Sequence, residues 1–139
     1  FDHFYFIEAS IKMGVSYQIQ GRINEGFYDT SVEQTLNREF CYWKEIRHRI
    51  FDIIKGKRLP LSCKIVLGLS KQSISYLIAH NNSSFREEDI EGIYVNILYD
   101  PKNLLITTGI SYKNFSLDKS LEYAFDEYLA KFLKEKAVI

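Results

Sequence analysis

The chain has 139 residues and a mass of 16.4 kDa, is 46% hydrophobic and 26% charged, and so has the size and make-up of one globular domain. Seven glycines and two prolines exclude collagen-like and low-complexity classes. Eighteen Lys and Arg against eighteen Asp and Glu exclude a polybasic tail or an acidic solvating chain.

No window approaches the roughly 18–20 consecutive apolar residues of a membrane span, so no membrane contact is expected. Residues 1–8 are apolar but lack the basic flank and small-residue cleavage pattern of a signal peptide. The start at Phe1 leads to the expectation of a native segment upstream. Cys41 and Cys63 are the two cysteines, too few for a secreted disulfide framework. A single bridge is arithmetically possible, but free thiols in a reducing cytoplasm are expected. The sequons at Asn81-Asn82-Ser83-Ser84 and Asn114-Phe115-Ser116 carry no meaning in that compartment.

In chain order, residues 3–12 read as a strand led by Phe4, Tyr5, Phe6 and Ile7. Residues 15–23 alternate apolar and polar with a period of two, so one face is expected buried and the other wet. Met13-Gly14 turns the first strand into the second. Residues 24–40 are polar and weakly periodic, with a short helix expected over about 31–38. Residues 42–55 read as an amphipathic helix, since Trp43, Ile46, Ile50, Ile53 and Ile54 recur at spacings of three and four. Gly56 stops it, and Pro60 prevents continuation.

The apolar run 61–69 predicts a central strand covered on both faces or lying under helices. Ser70 then caps a helix over 71–79, with Ile74, Leu77 and Ile78 inward. A loop follows at 81–84, and residues 86–89 add one helical turn. Residues 92–99 and 104–112 form a hairpin across Asp100-Pro101-Lys102-Asn103, where Pro presets φ and Asp and Asn bond locally. Ser116 caps a last helix over 117–136. Leu117, Leu121, Phe125, Tyr128, Leu129, Phe132 and Leu133 form its apolar stripe, and Lys131, Lys134 and Lys136 suit its C-terminal dipole.

The order β-β-α-β-α-β-β-α predicts an α+β domain. It should have a mainly antiparallel sheet of about five strands, with helices packed on one face. Hairpins 3–23 and 92–112 are alike in length and in Tyr and Ile content. Generic strand composition explains that as well as duplication does.

Net neutrality hides an asymmetry. Residues 38–64 hold eight bases (Arg38, Lys44, Arg47, Arg49, Lys55, Lys57, Arg58 and Lys64) against three acids, a surplus of five positive charges. Residues 84–128 hold nine acids against four bases, a surplus of five negative charges. The run Lys55-Gly56-Lys57-Arg58, with Arg47 behind it, has three readings. It is a solvated helix end, an anion or nucleic-acid contact, or a partner contact that joins the basic and acidic patches within a dimer or across the fold. Tyr42 and Trp43 could stack on bases. Trp43, however, sits on the apolar stripe, which favours core packing.

The usual chemical signatures are missing. His3, His48 and His80 have no His or Cys at metal-ligand spacing. The chain contains no phosphate-binding Gly loop, dinucleotide fingerprint or nucleophile elbow. Cys63 lies in an apolar strand, where a thiol packs inertly. Glu8 follows an aromatic run: inward it would act as an acid or base, outward it does nothing special.

The residues resemble a known family. The run Phe1-Asp2-His3-Phe4 through Glu8-Ala9-Ser10-Ile11, then Tyr17-Gln18-Ile19-Gln20-Gly21-Arg22, is similar to small uncharacterised proteins of Clostridia and related Firmicutes. The likeness continues through Trp43-Lys44, Ile54-Lys55-Gly56-Lys57-Arg58-Leu59-Pro60-Leu61, Thr107-Thr108-Gly109 and Leu117-Asp118-Lys119-Ser120-Leu121, so it covers nearly the whole chain. It implies a domain of unknown function, a cytoplasmic location and an additional N-terminal helix. It supplies no catalytic residue and no cofactor.

Two functions are therefore weighed. The first is a non-enzymatic binding or adaptor domain. It would use Lys55, Lys57, Arg58 and Arg47, or the acidic 87–91 segment. The second is an enzyme with a pocket outside known motifs, built on Glu8, His48 and tyrosines. The missing motifs favour the first.

Overall fold

A computed structural model of the chain describes residues 3–24, 26, 27, 38–80, 86–113 and 119–135. Its elements are β1 (Tyr5–Lys12), β2 (Ser16–Gln20), α1 (Trp43–Ile54), β3 (Ser62–Gly68), α2 (Lys71–His80), β4 (Ile90–Tyr99), β5 (Leu104–Tyr112) and α3 (Ser120–Glu135). The expected order and the α+β class hold. The five strands form one antiparallel sheet in the order β2-β1-β3-β4-β5. The expected helix at 31–38, the loop 81–84, both sequon sites and the Ser116 cap fall outside the described residues, except Arg38, which is not helical. So do the side chains of Phe132, Leu133 and Lys134, and all of Lys136.

The chain divides into two compact units: residues 1–68 with 95–107, and residues 69–94 with 108–139. In the first, β1 pairs with β2 from Glu8↔Gln20 to Lys12↔Ser16, and with β3 from Tyr5↔Gly68 to Lys12↔Ser62. The β1–β3 register shifts between Phe6 and Glu8, leaving Ile7 as the extra residue of a bulge. The bulge has a packing consequence. Phe6 and Ile11 are an odd number of residues apart, so a regular strand would send them to opposite faces. The extra residue resets the phase, and Phe6, Ala9 and Ile11 are all buried.

A strap not expected from the sequence completes this unit. Beyond Glu8↔Gln20, β1 and the chain after β2 part, and residues 39–43 fill the gap. On one side Phe6 N donates to Cys41 O at 2.8 Å and Trp43 N to Phe4 O at 2.8 Å. On the other, Cys41 N donates to Gly21 O at 2.9 Å and Ile23 N to Glu39 O at 2.7 Å. Gly21 N donates to Ile7 O at 2.9 Å, so the bulge carbonyl is also satisfied. Rings follow the strap: Tyr5 lies against Phe40 and Tyr42, and Phe6 against Trp43.

The strap leads directly into α1. Glu45, at the third helical position, accepts from Tyr42 N at 3.1 Å and pairs with Arg38 at 2.7 Å. The same guanidinium donates to Phe40 O at 2.9 Å and covers the Tyr42 ring. Burial by itself would raise the Glu45 pKa. The Arg38 hydrogen bond, the Tyr42 N–H and the Arg38 charge together hold it below the usual carboxylate range. Ile50 is the fully buried residue of α1, and the other four stripe residues are half-buried.

One expectation is corrected. The alternating stretch through β2 does not bury a face: Val15, just before the strand, is 65% exposed, Tyr17 is 40% exposed, and Ile19 is half-buried. The reason is position. β2 is an edge strand, and α1 packs on β1. β3 is central as expected, but its burial is uneven. Ser62, Cys63 and Lys64 still alternate, and continuous burial begins at Ile65.

In the second unit, Ser73 N donates to Ser70 Oγ at 3.3 Å, so Ser70 caps α2. Leu77 of α2 and Leu121, Phe125 and Leu129 of α3 are buried. Side-chain bonds from Ser111 Oγ to Glu91 and from Thr108 Oγ1 to Asp126 stitch this unit, with a backbone bond from Lys113 N to Asp89 O.

A Cβ at Gly21 would fall on the Phe6 carbonyl oxygen and lie 2.6 Å from the Phe6 ring, whereas Gly14 faces open space. Urea denaturation should therefore show Gly21→Ala losing about 2–3 kcal/mol from overpacking. Gly14→Ala should stay within about 0.5 kcal/mol of the parent. For the Arg38–Glu45 pair, a depressed folded pKa means stability present above the unfolded value of about 4.3 and lost as pH falls through the lower folded value. Arg38→Met should thus lower Tm at pH 7, and the gap to the parent should narrow as pH falls below about 4.

Candidate functional site

The basic run leaves α1 through a turn that only glycine adopts freely. Lys55 is extended and donates its N–H to Phe51 O, and Gly56 has φ +148°. The chain is then pinned again at Pro60, which is buried, and at Leu61, whose N–H donates to Lys12 O at 2.8 Å. Between these anchors Lys57 and Arg58 are exposed, and among the described residues neither forms an ion pair. Lys55 pairs with Asp52 at 3.0 Å. Arg47 is exposed on α1, about 10 Å back along the helix axis. The structure therefore brings Lys55, Lys57 and Arg58 onto one loop and leaves Arg47 two turns away.

Apolar side chains flank these cations. Leu59 is 68% exposed, Leu61 69% and Phe51 54%. Leu59 and Pro60 also wall an apolar cavity of about 230 Å³, closed by Ile54, Ile65 and Ile97, with Cys63 and Tyr99 at its side.

A second, larger cavity lies in the same unit and is not apparent from the sequence. It holds about 660 Å³. Ser10, Lys12, Ser62 and Lys64 of β1 and β3 line it together with Leu98, Leu104 and Leu105 of β4 and β5. Asp100 also lines it, but its carboxylate accepts from the backbone of Lys102 and Asn103 in the β4–β5 turn. Cys63 and Tyr99 contribute to both cavities.

The fold disperses the two linear charge clusters. In the basic segment, Arg38 is held by Glu45, Lys55 by Asp52, and Lys64 points into the larger cavity. In the acidic segment, Asp89 and Asp100 accept from nearby backbone N–H groups, and Glu91 and Asp126 from the Ser111 and Thr108 hydroxyls. The aromatic neighbours are occupied too. Trp43 is half-buried against Phe6 and Phe51, and Arg38 and Lys44 cover the Tyr42 ring.

The residues considered for catalysis do not come together. Glu8 and His48 are exposed, and neither lines the two cavities. Both cysteines are free. Burial, and for Cys41 also the Glu45 charge, pushes the thiols up, so they are protonated at neutral pH and weakly nucleophilic. No group of three metal-ligating side chains and no helix long and apolar enough to cross a membrane occurs among the described residues.

Since nothing obstructs a Cβ at Gly56, Gly56→Ala isolates the backbone cost of its φ. Thermal denaturation should show a loss of about 1–2 kcal/mol.

Comparison with known proteins adds one positive finding. No curated protein matches the chain, and no solved structure does. The model of a family of unknown function (DUF5721) matches residues 1–139, and the chain belongs to that family.

Proposed function

We propose that this protein is a non-catalytic binding module whose loop 55–61 docks an acidic protein segment bearing apolar side chains. The observation that carries this reading is the exposed Lys57-Arg58 pair, set directly beside the exposed Leu59, which walls an apolar cavity, and close in the chain to the exposed Leu61. Such a surface offers charge for encounter and apolar area for affinity. Two anchors hold it in place, so little ordering cost remains on binding. Both free cysteines support a reducing, cytoplasmic setting.

Nucleic acid is the competing ligand for the same cations. It is disfavoured because Trp43 and Tyr42, the two aromatic groups the sequence offers for base stacking, are already packed or covered by the chain's own side chains. A fluorescence-anisotropy titration separates the two. The probes are a labelled peptide of alternating Glu and Leu and a labelled single-stranded RNA of equal charge, at low and near-physiological salt. The peptide should bind more tightly at near-physiological salt, and the Lys57→Glu, Arg58→Glu variant should lose that binding with Tm unchanged. Tighter RNA binding, falling steeply with salt, would assign the loop to phosphates instead. Peptide binding unaltered in the variant, or none at all, would end the docking reading.

A further inference from the structure

The larger cavity is built by strand register. Ser10 lies opposite Lys64, and Lys12 opposite Ser62. Directly paired residues share a face, as do residues two apart along a strand. The four side chains therefore form one block, with ammonium groups on one diagonal and hydroxyls on the other. The opposite face of the same pair carries the buried Ala9, Ile11, Cys63 and Ile65. Diagonal neighbours are about 7–8 Å apart at their backbones, well within the combined reach of two lysine stems. Both ammonium groups can close on one anion, with a serine hydroxyl donating from either side.

Among the described residues Lys12 and Lys64 make no ion pair. Two like charges on one face repel, and an anion between them removes that repulsion. Away from the block the wall changes character. Leu98, Leu104 and Leu105 line it there with Cys63, Tyr99, Asn103 and Asp100, whose carboxylate is engaged by the Lys102 and Asn103 N–H groups, and Leu104 and Leu105 are 64% and 53% exposed. A volume near 660 Å³ falls inside the roughly 300–1,000 Å³ of small-molecule sites.

We infer that this cavity binds a small amphiphilic anion, its acid group between Lys12 and Lys64 and its alkyl or aryl body along Leu98, Leu104 and Leu105. Lys57 and Arg58 take no part, so the inference stands apart from the docking reading of loop 55–61.

Isothermal titration calorimetry on the full chain tests it, using octyl phosphate below its micelle concentration, inorganic phosphate and octyltrimethylammonium. Octyl phosphate should bind, inorganic phosphate at least tenfold more weakly, and the cationic surfactant not at all. Lys12→Gln with Lys64→Gln should weaken octyl phosphate at least tenfold with Tm unchanged, and Lys12→Arg with Lys64→Arg should retain it. Leu105→Asn should weaken octyl phosphate and leave inorganic phosphate as it was. Lys57→Glu with Arg58→Glu should change none of these. The inference is overturned if octyl phosphate does not bind, if the cationic surfactant binds equally, or if the double glutamine variant keeps full affinity. Binding of anionic phospholipid vesicles in place of soluble octyl phosphate would also overturn it, assigning the lysines to a lipid surface.

Discussion

The 39–43 strap is the constraint on which the first unit depends. Where β1 and the chain after β2 diverge, two runs of backbone would face a gap with polar groups unsatisfied. An unpaired buried N–H or C=O costs about 1–3 kcal/mol, so such a gap cannot stay open. The strap bonds to both sides through Phe6, Trp43, Cys41 and Ile23. Gly21 makes this possible, because its missing side chain lets the chain pass against the Phe6 carbonyl. The strap also sets the start of α1, since Arg38 and Glu45 tie its two ends together.

The bulge at Ile7 works with the strap. By shifting the phase of β1 it puts Phe6 on the same buried face as Ala9 and Ile11, where Phe6 meets Trp43. The other face keeps Ser10 and Lys12, and β3 answers with Lys64 and Ser62. One irregularity thus serves the packing of this unit. It supplies the aromatic core under α1.

Charge behaves differently in space than along the chain. Residues 38–64 read as a single basic cluster. Folded, Arg38 becomes a structural clamp, Lys55 pairs within its own helix end, and Lys64 joins Lys12 on the other sheet face. Lys57 and Arg58 keep the exposed position the sequence suggests. The acidic residues are similarly drawn into turn and side-chain hydrogen bonds, as at Asp100 and Glu91.

By itself the sequence determined the local elements, because each is written in short-range terms. The three-and-four spacing from Trp43 to Ile54 gives α1, Ser70 caps α2, and Asp100-Pro101-Lys102-Asn103 closes the β4–β5 hairpin. The order and the α+β class follow from these. The tertiary structure alone decided what depends on long-range pairing. Residues 39–43 read as the end of a connection and the start of a helix until β1 and Gly21 offer hydrogen-bond partners. The alternation of 15–23 promises a buried face, and the edge position of β2 withholds it. Lys12 and Lys64 are 52 positions apart, and only the β1–β3 register brings them to one cavity. A period of two says that a side chain faces one side of a sheet; which side, and beside what, is fixed by the partner strand.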